Sequence, residues 1–373
     1  MAVKFYGVND PMAVKLWSKK LFVDAISNTW IDRFVGEGTD KVIQRLMPRN
    51  KGAGDQITYG LRARLAGDGK QGHEKLEGNE EALSINTDSF VINKLRHAVR
   101  VAGSGSISQE RVPFNVRDEA RAGLSDWWAE RMDYSAAIQL TGSPFRYNND
   151  TSLWTTSGGD TRFSGNNAVL SPDADHFMLA NPAAANEAAL TNAATDYFTL
   201  GVLDRAVAKA KTSQPRVRPI RMNGSDVYVA FLHPLHVLQL RTSAGSQWVD
   251  IQKAMLQGGQ GNENGLLSGA LGMYGGVILH EWDKLPPGVA ANGTPLTNVR
   301  RSVLCGAQAA AIGFGSGEGG GNATDAFNWV EELYDYEDEL GVAAGGIFGL
   351  KKTRFGGKDF GTIVMSSYTP PVV

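Results

Sequence analysis

Residues 113–142 read PFNVRDEARAGLSDWWAERMDYSAAIQLTG, and whether they form one unbroken helix decides the architecture. Asn115 is suited to an N-cap, and Asp118 and Glu119 place negative charge in the first turn, where the helix dipole favours it. Val116, Ala120, Leu124, Trp127, Tyr134 and Ile138 trace one apolar stripe, interrupted by Arg131. Gly142 supplies a C-terminal cap and Pro144 blocks continuation. The pattern predicts a helix from about 115 to 141, roughly 39 Å long at 1.5 Å per residue. That is about twice the usual globular length and suits an elongated body.

Upstream, QITYGLRARL (56–65) alternates. Ile57, Tyr59, Leu61, Ala63 and Leu65 fall on one face, and Thr58, Arg62 and Arg64 on the other, which is a strand signal. The charged, turn-rich AGDGKQGHEKLEGNEE (66–81) follows, then a second alternating run with Leu83, Ile85 and Val91. Together they predict a long hairpin whose polar tip projects and needs a partner surface. Residues 12–35 place Leu16, Phe22, Ile26, Trp30 and Phe34 at helical spacing, so an amphipathic helix is expected there. A second short piece, Asp40 to Met47, ends at Pro48.

Downstream, 143–195 is rich in Asn, Ser, Thr, Gly and Ala with weak periodicity, which suggests an insertion or extended surface loop. A helix is expected from about Asp196 to Lys211. DVYVAFL (226–232) has the character of a buried strand, and Pro234 can open a helix through LHVLQLR. A glycine-rich stretch covers 257–276. GGVILHEW, SVLCGAQAAAIGF, IFGLKKTRF and DFGTIVMSSY add further strand-like or buried segments. Helices and antiparallel-looking strands mix without a βαβ rhythm, so the fold class is α+β. No internal repeat is present.

Composition bounds the function. The chain has 373 residues, 42% hydrophobic and 20% charged, with a net charge of −2. It can bury a core, and no global basic excess points to nucleic acid. Glycine is high at 44 residues, against roughly 7% in average proteins, and clusters in loops. The single cysteine, Cys305, excludes an internal disulfide and sits in an apolar run. The N-terminal residues lack the apolar core of a signal peptide, and no apolar run of about 18 residues is present. The expectation is a soluble protein made in a reducing cytoplasm.

The most enzyme-like local pattern is YVAFLHPLHVLQLR (228–241), where His233 and His236 sit three apart around Pro234. A zinc site needs three or four converging ligands, and the HExxH spacing that sets two imidazoles and a base on one helix face is missing. His280 and Glu281 are the nearest chemical candidates to complete a set, and nothing in the sequence brings them close. EELYDYEDEL (331–340) lacks calcium-loop spacing and suggests a solvated or inter-subunit acidic face. The basic KKTRFGGK (351–358) follows closely, so the two patches could pair within or between subunits. GSGEGGG (315–321) lacks the ending of a phosphate loop, and no nucleophile elbow occurs. No catalytic, cofactor-binding or metal-binding residue is assigned.

The order of segments resembles the major capsid proteins of tailed bacteriophages, in the N-four-like branch. The resemblance rests on AVKLWSKKLFVDAISNTWIDRFVG, GDQITYGLRARLAGDG with LEGNEEAL, LRHAVRVAG, and VRDEARAGLSDWWAERMD. It continues through YVAFLHPLHVLQLR, GALGMYGGVILHEW, VLCGAQAAAIGFG and DYEDELGVAAGGIFGLKKTRFGGKDFGTIV, and is weakest at 143–195. It implies the Hong Kong 97-type capsid fold, with an N-terminal arm (1–54) and an extended loop (55–92). A peripheral domain (93–214) would hold a spine helix (115–141) and a surface insertion (143–195). An axial domain (215–335) and C-terminal strands returning to the periphery (336–373) complete the layout. The implied function is self-assembly of hexamers and pentamers into an icosahedral shell, the virion capsid, around double-stranded DNA.

Implied partners are other copies, a separate scaffolding protein, a portal and a decoration or cement protein. Assembly would take place in the host bacterial cytoplasm, with no membrane, no cofactor, no sequence-specific DNA contact and no large N-terminal cleavage. Lys70 and Lys75 lie on the loop, and no motif supports a lysine–asparagine cross-link there. The competing expectations are a soluble metal-dependent hydrolase, which would need converging His233, His236 and His280, and another phage structural protein such as a decoration protein.

Overall fold

The computed structural model describes residues 11–47, 54–62, 69–73, 75, 77, 85–102, 116–148, 152–153, 159–222, 224–257, 269–315, 327–334 and 339–370. Asn115, most of 66–81, residues 258–268 and 316–321 lie outside them. Five α-helices are present among the described residues: α1 (Pro11–Asn28), α2 (Val116–Thr141), α3 (Leu200–Thr212), α4 (Pro234–Ala244) and α5 (Ser246–Gln257). None is long and apolar enough to cross a membrane.

The decisive stretch is one helix. α2 begins with Asp118 and Glu119 in its first turn and ends at Gly142, whose φ of 64° is the left-handed geometry of a C-terminal cap. The expected stripe faces the core through Ala120, Leu124 and Ile138. Past Trp128, however, every residue from Arg131 to Thr141 is buried. A helix apolar on one face only would rest on a surface, whereas this one runs through the protein.

α1 packs on α2 through Leu21, Phe22 and Ala25, with the Phe22 ring edge-on to Phe314 and Phe327. It stops at Asn28, short of the expected 35, and Trp30–Phe34 forms a 3-10 turn. The break has a physical cause. Thr29 is extended, and Asp133 of α2 accepts hydrogen bonds from the N–H groups of Trp30 (3.0 Å) and Ile31 (3.1 Å). A buried carboxylate thus satisfies the donors that a continued helix would have used. The short piece Asp40–Met47 contains a strand, Ile43–Leu46.

Two large sheets flank this helical layer. In the first, the long strand Glu339–Lys352 pairs antiparallel with Asn93–Ala102, Phe327–Tyr334 and Ala310–Phe314. Ile43–Leu46 adds parallel to Ala310–Phe314, and Val35–Gly36 adds parallel to Ile43–Leu46. The second is built on Pro295–Cys305, between Thr362–Tyr368 and Ser225–Leu232, with Val277–Glu281 parallel to the latter. Ser225–Leu232 is buried along its length from Val227. Val227, Val229 and Phe231 enter the cluster holding α1 and α2, while Tyr228, Ala230 and Leu232 enter the cluster holding α3 and α4. A strand covered on both faces reads as a continuous apolar run, as it does here.

The described residues of 143–195 are mostly exposed or half-buried, but the stretch is tied down at buried polar anchors. Asp160, His176, Glu187 and Asp196 are all buried in or beside it. Phe177–Leu179 pairs parallel with Thr362–Tyr368. Its polar residues close turns: Asp160, Asp173 and Asn186 each cap a 3-10 turn with a side-chain oxygen. Glu187 takes two bonds from Arg301, at 2.8 and 2.6 Å, plus Ser366 Oγ and the Val289 N–H. Asp196 accepts from Asn181, Thr195 and both donors of Thr191. It is therefore used in that loop, and α3 starts later, at Leu200.

Candidate assembly surface

The hairpin forms as its alternation predicts. Gln56–Arg62 pairs with Ile85–Val91 in unbroken antiparallel register from Gln56↔Val91 to Arg62↔Ile85. Ile57, Tyr59, Leu61 and Phe90 are buried and meet Ile92, Ala311, Ile347 and Phe360 of the body. Thr58 and Gly60 face outward. Beyond Arg62, Gly69–His73, Lys75 and Glu77 are described, and all are exposed.

Two glycines make the seat. A Cβ at Gly313 would stand 2.7 Å from Ile57 and 2.8 Å from Phe90. One at Gly349 would stand 2.3 Å from the Val91 carbonyl oxygen. At Gly349 the obstacle is backbone, so a side chain there would push the hairpin off the sheet, whereas at Gly313 the tips of Ile57 and Phe90 would have to shift.

Polar contacts then fix its direction. Asp88 accepts from Lys351 Nζ (2.6 Å), the Arg354 N–H (2.9 Å) and Tyr59 Oη (3.2 Å). The Tyr59 hydroxyl also contacts Thr353 Oγ1 at 3.0 Å, and burial first, then Asp88, pushes its pKa up. Asp359, fully buried, takes Lys352 Nζ (2.7 Å) and Arg354 Nε (2.9 Å). Its own N–H donates to Asp173 (2.7 Å). Burial lowers the Lys352 pKa, and Asp359 works against that. Asn167 clamps the exit of the hairpin: its side chain accepts the Val91 N–H (2.8 Å) and donates to the Val91 carbonyl (3.0 Å).

Among the described residues of this chain, the basic run 351–358 finds its partners outside the acidic run 331–340. Lys351, Lys352, Arg354 and Lys358 pair with Asp88, Asp359 and Asp175. The described ends of the acidic run lie on paired strands, with Tyr334 opposite Glu339. Glu331 is buried and accepts from Trp329 Nε1 (2.7 Å), Glu332 accepts from Tyr334 Oη, and Glu339 pairs with Arg100. Residues 335–338 lie outside the described part.

The histidines divide between the two faces of the second sheet. His233 caps α4, its Nδ1 accepting the Leu235 N–H at 3.2 Å. His236 is buried between Ser302 Oγ (2.5 Å) and Ser367 Oγ (2.7 Å) and stacks on Phe198 at 4.6 Å. His280 lies on the other side, against Trp30, Phe34 and Phe231. Burial, aided by Arg300, lowers His233 to about 3, and burial drives His236 well below its usual range. Both rings are thus neutral groups of a strand-to-helix corner. Among the described residues no group of three His, Cys, Asp or Glu has the geometry to hold a metal. Burial raises the Cys305 thiol pKa.

The contacts of Asp88, Asn167 and Asp173 were beyond sequence reasoning. Each joins residues roughly 75 to 270 positions apart, and no local pattern signals such pairings.

The profile of a family described as "Phage capsid protein" matches residues 6–371. A major capsid protein of Pseudomonas phage KPP25 is 29% identical over 361 residues, covering 91% of this chain and 89% of that protein. The solved capsid of Ralstonia phage GP4 superposes with a TM-score of 0.78 at 31% identity, over 99% of each chain. A chain of the Cyanophage Pam1 capsid shares the fold at a TM-score of 0.64 and 18% identity, covering 92% of this chain and 93% of that one.

Proposed function

This chain belongs to the phage capsid protein family, and from that premise we propose that its copies assemble as hexamers and pentamers into a closed icosahedral shell around double-stranded DNA. It is a major capsid protein, a structural component of the virion and not an enzyme. The hydrolase alternative has no support. The observation that carries the reading is the superposition on a capsid subunit over nearly the whole of both chains.

The layout we propose follows the elements. The arm is 1–54, the extended loop 55–92, the peripheral part 93–214, the axial part 215–335, and the C-terminal strands 336–373 return to the periphery. The hairpin, anchored at its base by the Asp88 contacts, lies on a neighbouring subunit. A near-neutral chain, with net charge −2, suits a wall that encloses DNA without gripping its phosphates. Closure multiplies weak contacts, so no single interface has to be strong. A separate scaffolding protein, a portal and a decoration protein are the proposed partners, with assembly in the host bacterial cytoplasm.

Electron microscopy and light scattering of the protein expressed with and without its neighbouring phage genes tests this. Closed shells, or rings of five and six, are expected. A monomer or dimer under every condition would overturn the reading.

A further inference from the structure

A cleft of about 250 Å³ opens beside the second half of α2, lined by Trp127, Glu130, Arg131, Tyr134, Arg146 and Phe163. Neither the core nor the hairpin seat uses it. The guanidinium carbons of Arg131 and Arg146 stand 3.7 and 4.0 Å from the Phe163 ring centre. Asp160, itself buried, pairs with Arg146 and Arg162, each at 2.9 Å. Glu130 pairs with Lys284 at 3.1 Å.

Arg131 differs from these. It is only 8% exposed. One Nη donates to the Arg162 carbonyl, while its buried Nε has no hydrogen-bond partner. No carboxylate lies within ion-pair distance of it among the described residues. Asp160 acts on it only from beyond that distance, against the like charges of Arg162 and Arg146. A buried cation so weakly balanced is costly, and the cost is relieved when an anion arrives in good geometry. The planar guanidinium fork fits a carboxylate, and the aromatic walls fit its aliphatic stem.

We propose that, on assembly, a carboxylate side chain from a second copy of this chain enters the cleft and pairs with Arg131. The inference rests on the capsid reading, which brings copies into contact. A side chain can reach so enclosed a group. A duplex phosphate is the other anion a shell would bring near, and a density map of the shell tells the two apart.

The test is a density map of wild-type shells, together with Arg131→Met. The map is expected to show an Asp or Glu oxygen of the neighbouring subunit within hydrogen-bond distance of Arg131. The unassembled Arg131→Met subunit is expected to unfold at or above the wild-type denaturant midpoint. Its critical concentration for assembly is expected to rise roughly tenfold or more, the scale of a lost interfacial charge pair. A map with only solvent, DNA phosphate or residues of the same chain at Arg131 overturns the proposal. So does a variant that assembles at the wild-type concentration, or one whose subunit unfolds earlier, because Arg131 then serves its own chain. If the variant does not fold, the wild-type map alone decides. Absence of wild-type shells under every condition is a different result and overturns the capsid reading itself.

Discussion

Glu187→Ala is the sharpest perturbation the structure offers, because it falls in the stretch that composition assigned to the surface. Glu187 and Arg301 are 4% and 5% exposed and share two short bonds, at 2.8 and 2.6 Å. Removing the carboxylate leaves Arg301 with the Thr141 carbonyl alone, and strands Ser366 Oγ and the Val289 N–H. Breaking one side of a buried pair costs about 3–5 kcal/mol, whereas an exposed substitution stays within about 0.5 kcal/mol. For a chain of 373 residues, an unfolding entropy near 2.1 cal/mol/K per residue turns that cost into a fall in Tm of about 4–6 °C. Glu187→Ala/Arg301→Met should recover part of the loss, since the orphaned charge goes with its partner. The pH dependence has a defined sign. Burial acts to raise the Glu187 pKa, but the bonds and charge of Arg301 outweigh it, and the net shift is downward. The pair's contribution is therefore present above the ordinary glutamate pKa and lost as pH falls through the depressed one. Calorimetry and denaturant titration of the unassembled subunit measure both effects. A Tm change below about 1 °C, the range of an exposed-site substitution, would refute the buried-pair argument.

Two further tests address other parts of the molecule. Gly349→Val sets side-chain atoms against the Val91 carbonyl, an overpacking cost of about 1–3 kcal/mol; faster amide exchange in 56–62 with an unchanged α2 is expected. Asp133 is raised to about 7 by burial, against the opposing bonds from Trp30 and Ile31. Its stabilising share is thus full below the ordinary aspartate pKa and lost as pH rises through about 7. Asp133→Asn should flatten subunit stability against pH between about 4 and 7, measured by denaturant titration; an unchanged slope would remove Asp133 from the account.

What the sequence made legible was local. The period of α2 and its Gly142 stop, the alternation of 56–62 and the continuous apolar run 226–232 are each decided by neighbours a few residues away. The path of 143–195 was not legible, because its order comes from Asp160, Glu187 and Asp196, carboxylates whose partners no periodicity marks. The partners of the basic run 351–358 were missed for the same reason. Proximity in sequence suggested the acidic run 331–340, but among the described residues Asp88 arrives from the far hairpin instead. The break of α1 at Thr29 depends on Asp133, about a hundred positions away, so helical spacing through Phe34 could not reveal it.

The hairpin separates two roles that are usually entangled. Two strands alone are marginal in water, so its apolar face must supply the energy and its polar contacts the direction. Phe90 is 1% exposed in the seat, and Phe90→Ala should cost about 3–5 kcal/mol and loosen 56–62 and 85–91 together. Asp88→Asn keeps that packing but removes the charge and turns one of the two accepting oxygens into a donor. Lys351 retains the Ser89 carbonyl at 2.7 Å and Tyr59 retains Thr353, so the loss in subunit stability should be small, about 1–2 kcal/mol. Yet the hairpin is what we propose to reach the neighbour, and a change of direction at its base is amplified along its length. Asp88→Asn should therefore lower shell yield by more than its stability loss accounts for, and Phe90→Ala by no more than its own. Yields that simply follow subunit stability in both variants would show that the Asp88 contacts contribute energy alone, and that the direction of the hairpin is set elsewhere.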